Sequence, residues 1–453
     1  MKSPHPLLVP AIAASQFAPP FMISGVAVAL PAMGAELAAG AVALSLVETL
    51  FLAASVALLL PAGRLGDAAD KAALYKAGLA AFALCSIAIG LVSSMAAILA
   101  LRFVQGLFSA GTQAAGPALI ADAVPPERRG RAFGLSIGSV YAGLTLGPIC
   151  AGVLVELWGW RSVFVAGGAA VLALLAPIHF LLPADWRRRP DPGTVHLAGT
   201  ALLVAAMLAL VIGAANLRAG ALAYGAMAAG AALLALFAAT QRRAARPLLD
   251  VAMLAGNRVL RGALLVQWLL YCNAFGTVFL LALYLQSVLG RAAATAGLVI
   301  AVGTLLMAGI APLVGRLADR RRPARLASAG VAAVLVAALM ATRLDAHSSL
   351  AYVTLLLAVQ GAGFAFFSTP NMTMVMNAVP AERTGIASAM SAAARSLGMV
   401  SGMLIVGAAV SLQLGHAPVE ADPARFVATL QASFWILAAV SAAAFAFSLR
   451  AAR

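Results

Sequence analysis

The sequence predicts an all-α membrane protein in which fourteen transmembrane helices form two six-helix bundles with two further helices inserted between them. Three observations lead to this prediction. Of the 453 residues, 63% are hydrophobic and only 10% are charged, whereas a soluble domain usually has about a quarter of its residues charged. Fourteen stretches are apolar over the roughly 20 residues that a helix needs to cross a bilayer. Several charged and glycine-containing motifs also occur twice, in the same order.

The predicted spans follow one another along the chain with charged loops between most of them. The first six are 7–31, 42–62, 72–92, 95–118, 131–155 and 161–182. Two more follow at 195–216 and 221–240, and the last six are 259–285, 292–314, 324–342, 350–372, 385–412 and 429–449. Span 7–31 is too long for the apolar part of a secretory signal peptide, so we expect it to remain as the first helix.

The basic residues indicate how these helices are oriented. With a cytoplasmic N-terminus, 23 of the 30 Lys and Arg residues fall on the cytoplasmic side and five on the outer side. The other two, Arg102 and Arg395, lie within spans. This distribution follows the positive-inside rule and places both termini in the cytoplasm. It also accounts for the net charge of +15 without a nucleic-acid partner.

The paired motifs indicate a parallel duplication of the kind found in secondary transporters. GRLGDAADK at 63–71 recurs as GRLADRRRP at 315–323, and AVPPERRG at 123–130 recurs as AVPAERTG at 378–385. The further matches, all offset by 255 residues, are Gln105 with Gln360, Gly106 with Gly361, Gly143 with Gly398, Gly147 with Gly402 and Gly152 with Gly407. We therefore predict an N-terminal bundle at 1–190, a two-helix linker segment at 191–250 and a C-terminal bundle at 251–453.

On these motifs the chain resembles the major facilitator superfamily, and within it the fourteen-span drug:proton antiporter family. GRLGDAADK and GRLADRRRP resemble the family's cytoplasmic loop between spans 2 and 3. RFVQGLFSAG at 102–111 resembles the span-4 motif with its buried arginine, and GLTLGPICAG at 143–152 resembles the span-5 motif associated with antiporters. GWRSVF at 159–164 and RPLLDVAMLAGNR at 246–258 resemble flanking stretches of the family. The resemblance implies the major facilitator fold and proton-coupled drug efflux.

The resemblance also implies roles for two sets of residues. The first set would gate the transporter or serve only as a solvated loop: Gly63, Asp67 and Lys71, with Gly315, Asp319 and Arg320 in the second copy. Its carboxylates would meet the positive end of the next helix and latch one conformation. The second set, the antiporter-type motif, would serve tight helix packing or a seal that biases the direction of transport: Gly143, Gly147, Pro148 and Gly152.

One position departs from the family pattern. The family's first span usually carries an acidic residue and an Asn before a Leu-Pro pair. Here Leu30 and Pro31 are present, but Met22 and Ala27 stand where the acid and the Asn would be. A carboxylate that could pair with a cationic drug or a proton is therefore missing from the first span.

Few ionisable residues lie within the predicted spans. The rise of a helix places Glu48 about 22 Å from Gly63 and Arg102 about 30 Å from Asp122, so Glu48 and Arg102 both fall in the outer half of the membrane. We predict that they pair or share a polar network, unless Glu48 reaches the outer surface, because charges at this depth need compensation. Glu48, Arg102 and Asp122 are the candidates for proton coupling. Arg395, near mid-membrane, would meet an anionic substrate group or bond backbone carbonyls.

Polar side chains within the spans are candidates for a substrate cavity. A mostly apolar cavity with scattered amides suits an amphiphilic solute, although each amide could instead bond a neighbouring helix. The candidates are Gln16, Gln105, Gln113, Gln267, Tyr271, Asn273, Gln360, Asn371 and Arg395.

The sequence disfavours several other classes of function. It contains no G-x-x-x-x-G-K-[ST] loop and no H-E-x-x-H motif, so we expect neither an ATP-driven pump nor an enzyme, and no cofactor. The three cysteines, Cys85, Cys150 and Cys272, lie far apart in apolar stretches without a His at ligand spacing, so we expect no metal site.

The sequence therefore predicts a secondary active transporter that exports amphiphilic drugs or toxic compounds in exchange for protons, by alternating access. One alternative is a proton-coupled transporter of a specific metabolite, anionic if Arg102 and Arg395 bind it. Another is a membrane sensor that no longer transports. We expect a monomer in the bacterial inner membrane, with a small-molecule substrate, protons and the lipid bilayer as its partners.

Overall fold

The structure, a computed structural model, describes residues 7–68, 70–125, 129–182, 197–243, 251–318, 320–380, 384–415, 417 and 419–452. Within these residues, fourteen helical stretches are long and apolar enough to cross a membrane, which confirms the number predicted from the sequence. An even number of crossings brings the first and last described residues to the same side of the bundle. We call this the termini side and the opposite one the far side.

The first bundle has seven helices because its first crossing is broken. Its helices are α1 (Leu8–Ser15), α2 (Ala18–Leu37), α3 (Ala41–Ala68), α4 (Lys71–Leu91), α5 (Met95–Ala123), α6 (Arg129–Trp158) and α7 (Arg161–Leu181). The break between α1 and α2 falls at Gln16 and Phe17. Pro19 and Pro20 lie in the first turn of α2, where the missing amide hydrogens leave no intrahelical bond unmade. The apolar pattern continues through this break, so hydropathy did not predict it.

Two helices, α8 (Leu197–Ala215) and α9 (Ala221–Arg243), follow the first bundle. A short helix, α10 (Val251–Gly256), then leads into the second bundle. The helices of the second bundle are α11 (Arg258–Leu283), α12 (Ala293–Ala318), α13 (Pro323–Ala341), α14 (Leu350–Asn377), α15 (Thr384–Gln413) and α16 (Pro423–Ala452). A π-helical turn, Tyr284–Val288, prolongs α11 at its far-side end.

The first charged motif lies mostly in a helix rather than in a loop. α3 continues to Ala68, beyond the predicted end of its span, so Gly63 and Asp67 are helical. The N-terminus of α4 is capped by Asp70, whose Oδ1 accepts hydrogen bonds from the backbone N–H groups of Ala72 and Ala73, at 2.8 and 3.2 Å. Asp70 therefore occupies the N-cap position at the positive end of α4. The side chain of Asp67 lies outside the described part of the structure, so its predicted contact with that helix end stays a prediction.

In the second copy of the motif, Gly315 likewise lies within a helix, α12. Arg320 is exposed beyond its end. Asp319 lies outside the described residues, so the structure does not test its predicted role.

The two bundles pack their helices at equivalent residues. A Cβ at Gly143 of α6 would overlap the carbonyl oxygen of Phe17, and a Cβ at Gly398 of α15 would overlap that of Trp268. The two glycines are 255 residues apart and the two carbonyl groups 251 apart. The same offsets relate the contact of Gly147 with Phe21 to that of Gly402 with Cys272.

A second helix pair repeats in the same manner. Gly106 of α5 lies against the carbonyl group of Phe51 on α3, and Gly361 of α14 lies against that of Gly303 on α12. These pairs are offset by 255 and 252 residues, as are the sequence motifs on the same helices. The duplication predicted from the motifs thus extends to helix packing, with small residues at the points of closest approach.

The bundles meet along two seams. In the first seam α6 packs on α12, and in the second α15 packs on α3. In the first, a Cβ at Gly297 would overlap the carbonyl oxygen of Pro148, and a Glu156 carboxylate oxygen accepts a hydrogen bond from the backbone N–H of Ala294 at 3.2 Å. In the second, a Cβ at Gly407 would lie 3.6 Å from the Ser45 hydroxyl oxygen. All three contacts lie in the half of the molecule nearer the far side.

The inserted helices lie against the second seam. α8 packs on both α3 and α15. In the turn that follows α8, the guanidinium of Arg218 donates hydrogen bonds to the carbonyl groups of Leu412 and Gln413, at 3.2 and 2.8 Å. The backbone N–H of Leu217 donates to the hydroxyl of Ser411 at 3.0 Å. A cation at the C-terminal end of a helix is favourable, so the contact fastens this pair to the far-side end of α15.

Candidate functional site

Glu48 and Arg102 form an ion pair inside the first bundle. Glu48 lies seven residues into α3 and Arg102 seven residues into α5, both counted from the far-side ends of these helices. The Arg102 Nη2 and Glu48 Oε2 atoms are 3.2 Å apart, and the two side chains are 0% and 2% exposed. Counting along the helices had placed these two residues at the same depth in the membrane, and the structure shows that they are paired. Glu48 does not reach the outer surface.

The guanidinium of Arg102 is fully engaged. Its Nε donates to the carbonyl group of Val47 at 2.9 Å, and its Nη1 donates to Gln105 Oε1 at 2.8 Å. Its carbon atom CZ lies 4.4 Å from the ring centroid of Phe51, a cation–π contact. Because Arg102 is enclosed in this way, a substrate cannot touch it in this conformation.

The carboxylate of Glu48 is only half satisfied. Its second oxygen, Oε1, is buried and has no hydrogen-bond partner among the described residues. A buried carboxylate oxygen without a donor is costly, and protonation removes that cost by making the group neutral. The pair therefore has the composition of a site that binds and releases a proton.

The second bundle has no ion pair at the equivalent place. With the offsets of 252 and 255 residues, Glu48 corresponds to Ile300 and Arg102 to Leu357. Both are buried, each with 2% of its surface exposed. Apolar side chains therefore fill the same helix contact in one half of this molecule, so the fold does not require the charges.

A small cavity lies at the second seam. It has a volume of about 10 Å³ and is lined by residues of α3, α8 and α15, among them Ser45, Thr49, Val211, Met403 and Gly407. Ser45 and Thr49 flank Glu48 along α3. A cavity of this volume has room for about one water molecule.

Asp122 does not belong to this centre. It lies at the termini-side end of α5, where its Oδ2 is 3.3 Å from Lys71 Nζ in a partly exposed ion pair. Asp122 is 20 residues from Arg102 along α5, about 30 Å, so it lies away from the Glu48–Arg102 pair, and its predicted part in proton coupling stays a prediction. It is a partner of the charged motif through Lys71.

The antiporter-type motif contacts both bundles. Gly143 and Gly147 let α6 approach α2 closely, and a Cβ at Gly147 would also lie 2.6 Å from the carbonyl oxygen of Phe21. Further along α6, Pro148 meets Gly297, and a Cβ at Gly152 would lie 2.6 Å from the carbonyl oxygen of Ala293. One face of the motif thus joins α6 to its own bundle, and the other forms the first seam.

Several predicted cavity residues are used instead to join helices. Gln105 Nε2 donates to the hydroxyl of Ser86 at 2.6 Å, and Gln16 Nε2 donates to that of Tyr75 at 3.2 Å, beside the break in the first crossing. Gln113 Nε2 donates to the hydroxyl of Ser55 at 2.9 Å. Each of these amides thus donates a hydrogen bond to a hydroxyl group on another helix of the first bundle, as is usual for polar groups inside a protein.

The second bundle contains two further polar centres. In one, Gln267 Oε1 accepts hydrogen bonds from Asn371 Nδ2 at 3.1 Å and from the hydroxyl of Ser391 at 2.9 Å. In the other, Asn273 Nδ2 donates to the hydroxyl of Ser441 at 2.5 Å, while Gln360 Nε2 donates to the carbonyl group of Asn273 at 3.4 Å. All of these amides are buried, so they too join helices rather than line an open cavity.

Arg395 and Tyr271 differ from the amides. Arg395 is exposed although it lies eleven residues into α15, well inside the membrane-spanning stretch. Tyr271, on α11, packs its ring against Phe364 at a centroid distance of 5.2 Å. Tyr141 of α6 packs against the buried cluster that contains Tyr271, and so brings the first bundle to the same place. Sequence reasoning missed Tyr141, although it stands two residues before Gly143 and aligns with Ser396, the residue after Arg395.

The position of the missing acid is closed. Met22 is fully buried on α2, and its sulfur atom lies where a Cβ on Gly167 of α7 would be. A substrate does not reach this site past the methionine, so the first span contributes no charge to a cavity in this conformation.

Comparisons with known proteins place the chain in a family. The family model of the Major Facilitator Superfamily matches residues 12–403 and 263–452. The chain is 31% identical to the multidrug resistance protein Stp of Mycobacterium tuberculosis over 399 residues, which cover 85% of this chain and 72% of Stp. It is 29% identical to the tetracenomycin C resistance and export protein of Streptomyces glaucescens over 396 residues, which cover 86% and 73% of the two chains.

The fold is also that of solved transporters. A crystal structure of the peptide transporter POT in complex with sulfate superposes with a TM-score of 0.72 at 15% identity, over 99% of this chain and 96% of that one. With the family model matched over almost its whole length and a relative above 30% identity, the chain belongs to the Major Facilitator Superfamily of multi-pass membrane transporters.

Proposed function

We propose that this transporter exports amphiphilic compounds in exchange for protons, and that the Glu48–Arg102 pair carries the proton. The relatives that are named for multidrug resistance and for tetracenomycin export support the direction of transport and the kind of compound. The sequence features associated with antiporters, Gly143 to Gly152 on α6, support the exchange.

The observation that carries the proposal is the asymmetry of the two bundles. A buried ion pair is costly to build, and apolar side chains of similar size often replace one without loss of stability. Ile300 and Leu357 make that replacement within this chain. Ionisable groups kept in a membrane-spanning bundle at such a cost are candidates for a role in transport.

The proton reaches Glu48 from the far side. In this proposal the chain lies in the bacterial inner membrane with the termini side in the cytoplasm, as the positive-inside distribution of basic residues supports, and it works as a monomer. The far side is then the outside, and Glu48 lies about 10 Å from the far-side end of α3. Water in the cavity beside Ser45 and Thr49 provides a short route to the carboxylate.

The conformation seen here is closed to the outside. Both seams are packed in their far-side halves, through Gly297 with Pro148 and through Ser45 with Gly407. Alternating access then requires that these contacts open while the termini-side halves approach each other. In this reading the antiporter-type motif acts as the outer seal, since one of its faces forms the first seam.

The test uses inside-out vesicles whose interior is acidified and reported by a fluorescent dye. Addition of a transported compound should release protons from wild-type vesicles. Glu48→Gln removes the titratable group and keeps its shape, so we expect binding of the compound to remain but proton release to disappear. Glu36→Gln, the same substitution at a partly exposed far-side position, is the matched control and should behave as wild type. Proton release by Glu48→Gln with an unchanged pH dependence would refute the role of Glu48.

A further inference from the structure

We propose that Arg395, Tyr141 and Tyr271 form a substrate site that selects aromatic compounds with a negatively charged group. This inference rests on the proposed function as an exporter and names its substrate class. It is carried by an exposed arginine inside the membrane-spanning region, at the seam between the bundles, that forms no ion pair with any acidic side chain the structure describes.

The depth of the three residues is the same. Counted from the termini-side ends of their helices, Arg395 lies eleven residues into α15, Tyr141 twelve residues into α6 and Tyr271 thirteen residues into α11. At 1.5 Å per residue these positions are about 16 to 20 Å from the helix ends, close to the middle of the membrane.

The face of α15 that carries Arg395 points to the other bundle. Side chains four and eight residues further along lie on the same face of a helix, here Met399 and Met403. Met403 lines the small cavity against Ser45 and Thr49 of α3, so this face of α15 contacts the first bundle nearer the far side. The exposure of Arg395 on this face is therefore exposure between the bundles rather than to lipid.

Tyr141 is on the equivalent face of the first bundle. Pro148 and Gly152, seven and eleven residues further along α6, are the residues that meet α12 across the first seam. Tyr141 thus also points across the seam. Its side chain packs against the buried cluster that contains Tyr271 and Phe364 of the other bundle. A compound bound here would touch both bundles, as a substrate must if its binding is to drive alternating access.

The charge of Arg395 has no counterion in the described part of the chain. Of the acidic side chains described within helices, Glu36, Asp122 and Glu156 lie at helix ends, and Glu48 is closed off beside Arg102. No ion pair of Arg395 is formed among the described residues. An unpaired cation in a cavity surrounded by membrane is strongly unfavourable, and an anionic group on the substrate would relieve this cost.

The aromatic rings near Arg395 favour a substrate that is itself aromatic. Tyr271 and Phe364 present an edge-to-face aromatic pair, and Tyr271 shares a hydrogen bond with the hydroxyl of Ser368 at 3.4 Å. Aromatic substrates pack well on such rings, and a guanidinium donates two parallel hydrogen bonds to a carboxylate or sulfonate. A cationic aromatic compound would meet Arg395 with like charge and find no acid, because Met22 occupies the position of the usual one.

The test compares two dyes with the same ring system and opposite charge. Fluorescein is an anionic xanthene and rhodamine 6G a cationic one. Binding to the purified, detergent-solubilised protein is measured by fluorescence anisotropy, which needs no proton gradient. We expect wild type to bind fluorescein more tightly than rhodamine 6G. Arg395→Gln should weaken fluorescein binding by roughly ten- to hundredfold, the range for loss of a hydrogen-bonded charge partner, and Arg395→Lys should retain most of it.

Arg343→Gln is the matched control, because it removes an arginine from the far-side surface near the end of α13 and should leave both affinities unchanged. Preference for rhodamine 6G in wild type, or equal fluorescein affinities for wild type and Arg395→Gln, would overturn the proposal. Melting temperatures of all variants establish that each is folded, and a variant that is not folded is replaced by Arg395→Met.

The outcome separates this inference from the proposed function. Selective binding of fluorescein without proton release in vesicles supports the anion site and contradicts proton-coupled exchange. Proton release driven by rhodamine 6G, with no response to fluorescein, supports the exchange and contradicts the anion site.

Discussion

At the scale of single residues, the same helix contact appears in this molecule once with charges and once without. Glu48 and Arg102 occupy it in the first bundle, Ile300 and Leu357 in the second. A charge that loses its buried partner is far more costly than an apolar pair in the same place. Replacing one member of the pair should therefore lower stability, whereas replacing both should leave stability intact and abolish proton transport.

The double variant Glu48→Ile/Arg102→Leu, which copies the second bundle into the first, should melt at or above the wild-type temperature and fail to release protons. Arg102→Leu alone leaves the Glu48 carboxylate buried without its partner and should lose about 3–5 kcal/mol of unfolding free energy, less to the extent that the carboxyl becomes protonated. Detergent-based thermal unfolding and the vesicle assay measure the two quantities. A double variant less stable than Arg102→Leu would mean that the charges are structural.

The sequence predicted correctly how deep Glu48 and Arg102 lie in the membrane, but it did not predict in which direction the polar side chains point. Counting along helices put Glu48 and Arg102 at one level, and the structure pairs them. Counting could not tell that Gln105 and Asn273 point into helix contacts while Arg395 faces the seam. The reason is physical, because an amide in a span is equally stable against a neighbouring helix or a wet cavity, and only packing decides between them.

At the scale of helices, the first seam depends on the absence of side chains. Gly297 of α12 lies so close to the carbonyl group of Pro148 that a Cβ would overlap it. Because this atom is backbone, it cannot rotate away, and the two helices would have to separate. The far-side closure of the transporter should therefore be sensitive to a single methyl group at this point.

Gly297→Ala should open the first seam toward the far side. The reporter is Ala301→Cys, one turn further along the same face of α12 and fully buried, in a protein without its native cysteines. Alkylation of this cysteine by a membrane-impermeant maleimide from the far side should become at least about threefold faster with Gly297→Ala. Gly309→Ala, on the same helix but with open space around it, is the control. Equal rates for the two variants would show that the seam tolerates the methyl group.

Helix boundaries were the weakest part of the prediction from sequence. Hydropathy marked the end of α3 at residue 62, but the helix carries its charged motif on to Ala68, and Asp70 caps the next helix. Hydropathy reports where a chain leaves the apolar region, whereas a helix ends where a capping group replaces its hydrogen bonds. The broken first crossing escaped notice for the same reason.

At the scale of the whole molecule, the duplicated motifs predicted the layout well. Three of the matched glycine pairs in the sequence make helix contacts at equivalent residues, for example Gly143 with Phe17 and Gly398 with Trp268. The relative position of the bundles was not predictable from these matches, because each repeat specifies only its own packing. It follows from how α6 packs on α12 and α15 on α3 at the two seams.

Closure of the far side is expected to be part of every transport cycle. Ser45→Cys and Gly407→Cys would place two thiols across the second seam, since a Cβ at Gly407 lies 3.6 Å from the Ser45 hydroxyl oxygen. In a protein without its native cysteines, oxidation of this pair should abolish transport, and a reductant should restore it. Each single variant, oxidised in the same way, should remain active. Full transport with the disulfide formed would mean that the second seam never opens.

The inserted helices make the two seams unequal. The first seam is formed mainly by α6 and α12, whereas α8 packs across the second seam and Arg218 fastens it to the far-side end of α15. When two bundles are held together at one seam and not at the other, they rotate about the held seam and separate most at the other one. The outer mouth of this transporter should therefore open widest beside α6 and α12, so that compounds leave along the glycine-lined wall and the proton enters by the narrower gap beside Glu48.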